Sequence, residues 1–414
     1  MAARPRSGRN RKYGTRPALA LYSKASGMKR PVLHKRRNHG NFRSGLSRGQ
    51  LEFMPMSSVT VPQVMDQLRR VNDPELHRDL VSLGMVKSVV VDNSTVTVHI
   101  ELTTPACPLK DQVKSDIDRE IRQLKGVSEV RIEWSSQVRS SRPGATQLPG
   151  IKNVVAVGAG KGGVGKSTAA VFLAYGLART GAAVGLMDAD VYGPSIPTMT
   201  GVEGTQPAVR DTLIVPVDAG GVKIMSIGFM VDRNKALIWR GPMTHGVVKQ
   251  FLEQVDWGEL DYLIVDLPPG TGDVPLSLTQ TIPLTGAVVI CTPQDVALLD
   301  ARRAVKMFQQ LNVPCLGIIE NMSYYLCPHC GHRDEIFDHG GAQQAAKKLS
   351  VPFLGEIPLN AKIRRHGDSG FPEMLFTDVD PVVREAIERV VRTTAGQISM
   401  RSSLQQFGPK LTVE

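Results

Sequence analysis

Nine residues from Gly160 to Thr168 read GKGGVGKST. Gly160, Lys161, Gly162, Gly163, Val164, Gly165, Lys166 and Ser167 fit G-x-x-x-x-G-K-[ST], a loop that cradles phosphates when it follows a strand and opens a helix. The glycines let backbone N–H groups turn toward phosphate oxygens, and the helix N-terminus adds partial positive charge. At this spacing Lys166 reaches the β- and γ-phosphates, and the Ser167 hydroxyl can ligate Mg²⁺. Lys161 stands too early to share that role. A cation at that position can neutralise charge on the γ-phosphate, within its own chain or across a dimer.

Two carboxylate positions complete the candidate site. In DYLIVDLPPGTGD an apolar run ends at Asp266, placed to hold the Mg²⁺ shell. Gly270 and Gly272 in the loop behind it permit movement on hydrolysis. DADVYGPS puts Asp188 and Asp190 at the end of another strand pattern. One of them is expected to orient the attacking water, and Asp190 is the choice because it lies further into the loop.

A different chemistry is written in CPHCGHRDEIF, where Cys327 and Cys330 stand two residues apart. Two thiolates at that spacing bind one metal centre. The residues alone leave iron–sulfur and zinc open, with a redox dithiol as a third reading. CPxCG resembles half of a zinc ribbon, and His332 could add a ligand. A closed zinc site wants four ligands, yet the chain has no second C-x-x-C; Cys107, Cys291 and Cys315 are isolated. Four thiolates come most simply from two chains meeting at this loop, and a bridging [4Fe–4S] cluster satisfies the count. Cys291 and Cys315 lie in apolar strand patterns and read as buried small hydrophobes. Cys107, in TTPACPL, precedes a helix whose N-terminus can lower a thiol pKa, which makes it a candidate for cluster transfer.

The elements that must position these residues follow from periodicity. From 151, short apolar runs (NVVAVGA, AAVGLMDAD, VKIMSIG, DYLIVDLP, GAVVICTP, VPCLGIIENM, VPFLGEIPL) alternate with helical patterns such as KSTAAVFLAYGLART and LDARRAVKMFQQL. This is the signature of an α/β fold with a mostly parallel sheet flanked by helices. Ligands in such sheets sit beyond the carboxyl ends of the strands, where most of the unusual residues fall. Ahead of it, residues 56–134 predict a small α+β domain in the order α-β-β-α-β, with a hairpin at Asp92-Asn93-Ser94 and a helix carrying Val113, Ile117, Ile121 and Leu124. Residues 135–150, rich in Ser, Pro and Gly, read as a linker. The ATPase unit is expected over 151–390 and a C-terminal tail over 391–414.

The chain has 414 residues and a net charge of +11. That charge is local: residues 1–50 carry 14 Lys+Arg and no Asp or Glu, leaving 36 basic against 39 acidic residues in the rest. The body is therefore not a basic nucleic-acid binder. The leader, residues 1–55, is expected to be disordered and non-catalytic. Its composition fits an arm for anionic partners, a transit peptide, or sequence upstream of a start at Met56. No apolar stretch approaches the ~18–20 residues that span a bilayer, so a soluble protein without membrane partners is expected. Five sparse cysteines do not form a disulfide framework, and a reducing cytoplasm is the expected compartment.

With both lysines, GKGGVGKST resembles the deviant Walker A ATPases, the class of the Min and Par proteins and the nitrogenase iron protein. Within that class DADVYGPSIP, RGPM, DYLIVDLPPGTGD, CTPQ and ENMSYYLCPHCG resemble the Mrp/ApbC family of iron–sulfur cluster carriers, over residues 151–370 or so. Residues 58–134, with NDPEL and TTPACPL, resemble the small iron–sulfur assembly domain often fused ahead of these ATPases. The resemblance implies a P-loop NTPase fold and a weak ATPase with ATP and Mg²⁺. It implies a homodimer in which Lys161 reaches the partner's phosphates, and an Asn321 that reads adenine. It also favours a labile [4Fe–4S] cluster on Cys327 and Cys330, passed to apo iron–sulfur proteins with cluster assembly factors as partners. The rival readings are a Min/Par-type positioning ATPase and a zinc-bridged P-loop ATPase. A nitrogenase-like electron carrier fits less well, because its cluster cysteines are single and far apart.

Overall fold

The computed structural model describes residues 59–74, 76–140, 148–230 and 241–407. The basic leader expected over 1–55 and the middle of the expected linker, 141–147, lie outside the described residues, as does Arg240 of RGPM.

Apart from a two-residue ladder between Asn72–Asp73 and Arg78–Asp79, the small domain has the expected order. Helix α1 (Val61–Leu68) opens with a reciprocal cap between Thr60 and Gln63 and buries Val64 and Leu68. Strands β1 (Val86–Asp92) and β2 (Thr95–Leu102) form an antiparallel hairpin. Asn93 takes the left-handed conformation its turn requires, with φ 53°. Along β2 the side chains alternate: Val96, Val98, Ile100 and Leu102 point into the core. Helix α2 (Lys110–Ile121) covers that face with Val113, Ile117 and Ile121, and β3 (Glu129–Ser136) pairs parallel with β2.

The larger unit is built on β4 (Ile151–Ala159), α3 (Lys166–Arg179), β5 (Val184–Asp188), β6 (Val217–Ala219), β7 (Val222–Ser226), α4 (Gly241–Glu253), β8 (Leu260–Asp266), α5 (Asp273–Thr281), β9 (Gly286–Cys291), α6 (Asp295–Gln310), β10 (Cys315–Leu326), β11 (Arg333–Asp334), α7 (Gly341–Leu349), β12 (Phe353–Leu359), α8 (Ala361–Ser369) and α9 (Pro381–Phe407). Its sheet runs β6-β7-β5-β8-β4-β9-β10-β11, with β12 also beside β10. All pairings are parallel except the edge hairpin β6/β7 and the short β11 on β10. Val154 to Ala159 are buried without a break, which requires cover on both faces and explains the continuous apolar runs.

One boundary differs from the sequence reading. The division at 390 falls inside α9, which continues to Phe407 and places Val391, Ala395 and Ile398 in the main core. Ser, Thr and Gln in TTAGQISMRSSLQQF mask its apolar spacing, and burial against the sheet overrides their weak propensity. Near its C-terminal end α9 also meets the small domain: Ser399 hydrogen-bonds Thr103. Tyr262, at the start of β8, bonds Thr104 through its hydroxyl at 3.1 Å.

Candidate functional site

The phosphate loop stands where the mechanism of such loops requires it, between β4 and α3. Gly165 is the N-cap of α3 with φ 84°. A β-carbon there would lie 2.2 Å from Asn321 Nδ2, so both the backbone and the neighbour demand glycine. Gly160 is equally constrained, since a β-carbon would lie 2.1 Å from the Asp300 carbonyl of α6. Lys161, Gly162 and Gly163 are exposed, Val164 is buried, and Ser167 and Thr168 are half-buried.

Parallel registration brings the acids to the loop. On neighbouring strands Asp266 pairs in register with Asp188, both at the carboxyl ends. Lys166 folds back onto them: its Nζ lies 2.7 Å from Asp266 Oδ1 and 3.5 Å from Asp190 Oδ2. The Ser167 hydroxyl donates to Asp266 Oδ2 at 2.6 Å. Asp266 is wholly buried. Burial pushes its pKa up, while the Lys166 ammonium and the two hydrogen bonds oppose that rise. Asp188 is pushed up to about 8, by burial and then by the Asp266 charge. It is held by Ser226 and by the backbone N–H groups of Asp190 and Ile196. Asp188 is thus engaged in structure, whereas Asp190 keeps its Oδ1 buried without a hydrogen-bond partner. This difference separates the two acids and adds a second reason for the choice of Asp190.

On the other side of the loop Asn321 donates from Nδ2 to the Val164 carbonyl at 2.8 Å. A cavity of about 430 Å³ opens there, lined by Gly165, Thr168, Asn321, Met322, Pro358 and Asn360 among others. It adjoins the phosphate loop and is wide enough for a planar base. Lys161 is exposed and has no ion-pair partner among the described residues.

The cysteine pair sits at the tip of a short hairpin continuing from β10. Tyr325 and Leu326 pair with Asp334 and Arg333 of β11. The Cys327 N–H donates to the His332 carbonyl and the Gly331 N–H to the Cys327 carbonyl, both at 2.9 Å. Cys330 is exposed and Cys327 half-buried. Backbone N–H groups of His329 and Cys330, then the Cys330 thiol, hold the Cys327 thiol below its ordinary range. His332 does not converge with the two sulfurs; among the described residues the one metal-sized group of three such side chains is Glu320, His339 and Glu356. Cys291 and Cys315 are buried as expected, and burial pushes their thiols up to about 12 and about 11.

Comparison with known proteins now decides the family. Residues 150–395 match the family described as NUBPL iron-transfer P-loop NTPase, and residues 62–134 match an iron-sulfur cluster assembly protein domain. An iron-sulfur cluster carrier protein of Deinococcus radiodurans is 51% identical over 336 residues, 81% of this chain and 95% of its own length. The Escherichia coli K12 protein of the same description is 39% identical over 354 residues, 82% and 95% of the two chains. A solved nucleotide-binding protein from Archaeoglobus fulgidus, in complex with ADP, is 41% identical, with a TM-score of 0.50 over 55% of this chain and 90% of that one.

The chain belongs to the iron-transfer P-loop NTPase family. In this member the phosphate loop, the acids and Asn321 are gathered at one end of the sheet, and the Cys327–Cys330 hairpin extends from that same end. Cys107 is not among them. It packs against the small domain's core, beside an Ala106 that belongs to the ATPase core. Its loop contacts Tyr262 at the amino end of β8, the opposite end of the sheet from Asp266 and the cysteine hairpin. Sequence reading also missed Glu320, Ser323 and His339, the first two buried and the third half-buried, which form a hydrogen-bonded network behind the hairpin. Glu320 accepts the backbone N–H groups of Gly340 and Ala342 at the start of α7, a contact 20 residues distant in sequence that no local motif marks. No described helix is long and apolar enough to cross a membrane.

Proposed function

We propose that this chain is an ATP-dependent iron–sulfur cluster carrier. As a homodimer it holds one labile [4Fe–4S] cluster between the Cys327–Cys330 pairs of two chains and delivers it to apo iron–sulfur proteins. The single observation that carries the reading is the hairpin: two thiols, one exposed and one with its thiolate favoured, presented on an extension of the strand that also holds Asn321. Two ligands per chain fit a cargo that must be shared and released better than a closed structural metal site.

ATP would lie along the loop, its base in the cavity beside Asn321 and its phosphates on the N-terminus of α3. Lys166 would leave Asp266 for the β/γ-phosphates. That exchange frees the Asp266 carboxylate and Ser167 hydroxyl, an oxygen donor set of the kind Mg²⁺ takes; the ion would offset charge on the β- and γ-phosphates. Asp190, with an unused buried oxygen, would orient the attacking water. Lys161, exposed and unpaired, would act on the partner's γ-phosphate. The reducing cytoplasm suits five cysteines among which no disulfide forms. The domain limits we propose are 56–134 for the assembly domain and 151 to the end of α9 for the ATPase, with the leader outside both activities.

Anaerobic reconstitution with iron and sulfide, followed by incubation with an apo [4Fe–4S] acceptor enzyme, tests this directly. Recovery of acceptor activity faster than from free iron and sulfide is expected. A protein that takes up no iron and sulfide, or that yields them no faster than free ions, is not a carrier.

A further inference from the structure

Asn321 and Cys327 are six positions apart on one continuous stretch of chain, but the strand between them is not regular. The pairing of β10 with β12 shifts register between Asn321 and Tyr325. Met322, at that shift, takes the left-handed conformation with φ 55°, which a side chain with a β-carbon adopts only when its surroundings impose it. Met322 and Asn321 both line the cavity beside the phosphate loop. A base entering that cavity must therefore compete for the Asn321 amide or press on Met322, one or two residues ahead of Ser323.

Behind the irregularity runs a chain of hydrogen bonds. The Ser323 hydroxyl donates to Glu320 Oε1 at 2.6 Å. Its one proton being spent, the contact of 2.9 Å with His339 Nδ1 requires that nitrogen to be the donor. Arg333 Nη2 stands 3.2 Å from His339 Nδ1 and 3.1 Å from Nε2, and Nε2 also faces Glu356 Oε2 at 3.5 Å. A continuous set of polar contacts thus links Arg333 through His339 and Ser323 to Glu320. Arg333 is three residues past Cys330. Its guanidinium lies 3.9 Å from the centre of the Tyr324 ring and 3.9 Å from Glu356. Glu320 at the other end is fully buried, fixed by the N-terminus of α7. The three potential metal ligands of this group are therefore occupied by one another, by Ser323 and by an arginine. They span the distance between the irregularity in β10 and the cysteine hairpin.

We propose that Ser323 and His339 are positioning residues that transmit occupation of the nucleotide site to the cysteine hairpin, with Met322 as the point where β10 changes shape. The proposal rests on the carrier reading above and names how its two sites communicate. A base that displaces Asn321 or Met322 moves Ser323; the contacts through His339 move Arg333; and Arg333 is paired in the ladder with Leu326, the residue before Cys327.

The test uses the full chain free of cluster, so its readout does not depend on cluster transfer. Alkylation of Cys327 and Cys330 by iodoacetamide is timed by mass spectrometry, with and without a non-hydrolysable ATP analogue and Mg²⁺. In the wild type the analogue is expected to change the rate about fivefold or more, the lower end of ordinary site–site coupling. His339→Phe keeps an aromatic ring and loses both bonds, and the ratio should fall to within about twofold, an effect close to no coupling. His339→Gln retains a donor and an acceptor and should restore most of the ratio. Analogue affinity and iron loaded per chain should stay at wild-type values in both. Ser323→Ala gives the same reading should His339→Phe fail to fold. The proposal is overturned by a wild-type rate indifferent to nucleotide, by a wild-type ratio in His339→Phe or Ser323→Ala, or by folded variants that lose iron loading outright. The carrier reading fails separately, if the wild type loads no cluster at all.

Discussion

Lys166→Ala should do more than abolish nucleotide binding; it should destabilise the empty protein in a pH-dependent way. Lys166 Nζ is 2.7 Å from an Asp266 carboxylate that has no exposed surface, and Asp188 lies in register beside it. Removing one partner of a buried pair costs about 3–5 kcal/mol, because the remaining charge is left without compensation. Asp266 escapes that cost by taking up a proton. Burial already raises its folded pKa, and loss of Lys166 removes the largest opposing influence. A carboxyl group raised on folding contributes stability that is present below its unfolded value, about 3.9, and is lost as pH climbs through the folded value. The variant's loss therefore extends to higher pH than the wild type's. One group changes stability by at most about 1.4 kcal/mol per pH unit, so a span of about three units from pH 5 to 8 is enough to develop the full penalty. Urea unfolding of wild type, Lys166→Ala, Asp266→Asn and the double variant at both pH values measures it. The deficit of Lys166→Ala should be small at pH 5 and about 3–5 kcal/mol at pH 8, and the double variant should recover most of it. A deficit equal at both pH values, or no recovery on adding Asp266→Asn, would falsify the reasoning.

Two further outcomes follow from the same geometry. Lys161→Ala should leave ATP affinity near wild type and lower hydrolysis by about 10³-fold or more, the lower range for a cation supplied in trans. Mixing it with Asp190→Ala chains should return activity if Lys161 acts across the dimer; equal inactivity of the mixture would place its action within one chain. Gly165→Ala should weaken nucleotide binding by about 5–30-fold, since a β-carbon at φ 84° costs about 1–2 kcal/mol and strikes the Asn321 amide. Titration with a fluorescent ATP analogue reads this, and an unchanged affinity would remove Asn321 from the base site.

Much of this arrangement was legible because it is local. The phosphate loop, the strand-terminal Asp266 and the C-x-x-C pair each declare themselves within a few residues, and seven apolar runs became seven strands of one sheet. What stayed hidden depends on contacts between distant segments. Asp190 was chosen over Asp188 from its place in the DAD loop alone; the contacts of Asp188 with the Ser226 hydroxyl and the Ile196 backbone N–H, which hold it in structure, were not legible there. Glu320 and His339 meet because the chain returns through the cysteine hairpin, and neither has a spacing that announces it. The end of α9 was lost because its polar residues suit a tail as well as a helix packed along a sheet. Cys107 carries a plausible chemistry in its own loop, yet tertiary contacts at Thr103, Thr104 and Ala106 place it at the far end of the sheet from the pair.

The central claim is that two chains share one cluster through Cys327 and Cys330. Anaerobic sizing with iron, sulfide and zinc analysis, on reconstituted wild type and on Cys327→Ala and Cys330→Ala, tests it most directly. A coloured dimer with roughly four irons per two chains is expected, following the four-thiolate count. Both variants should lose that iron while still binding ATP. A colourless dimer carrying one zinc, or a monomer that keeps a complete cluster, would contradict it.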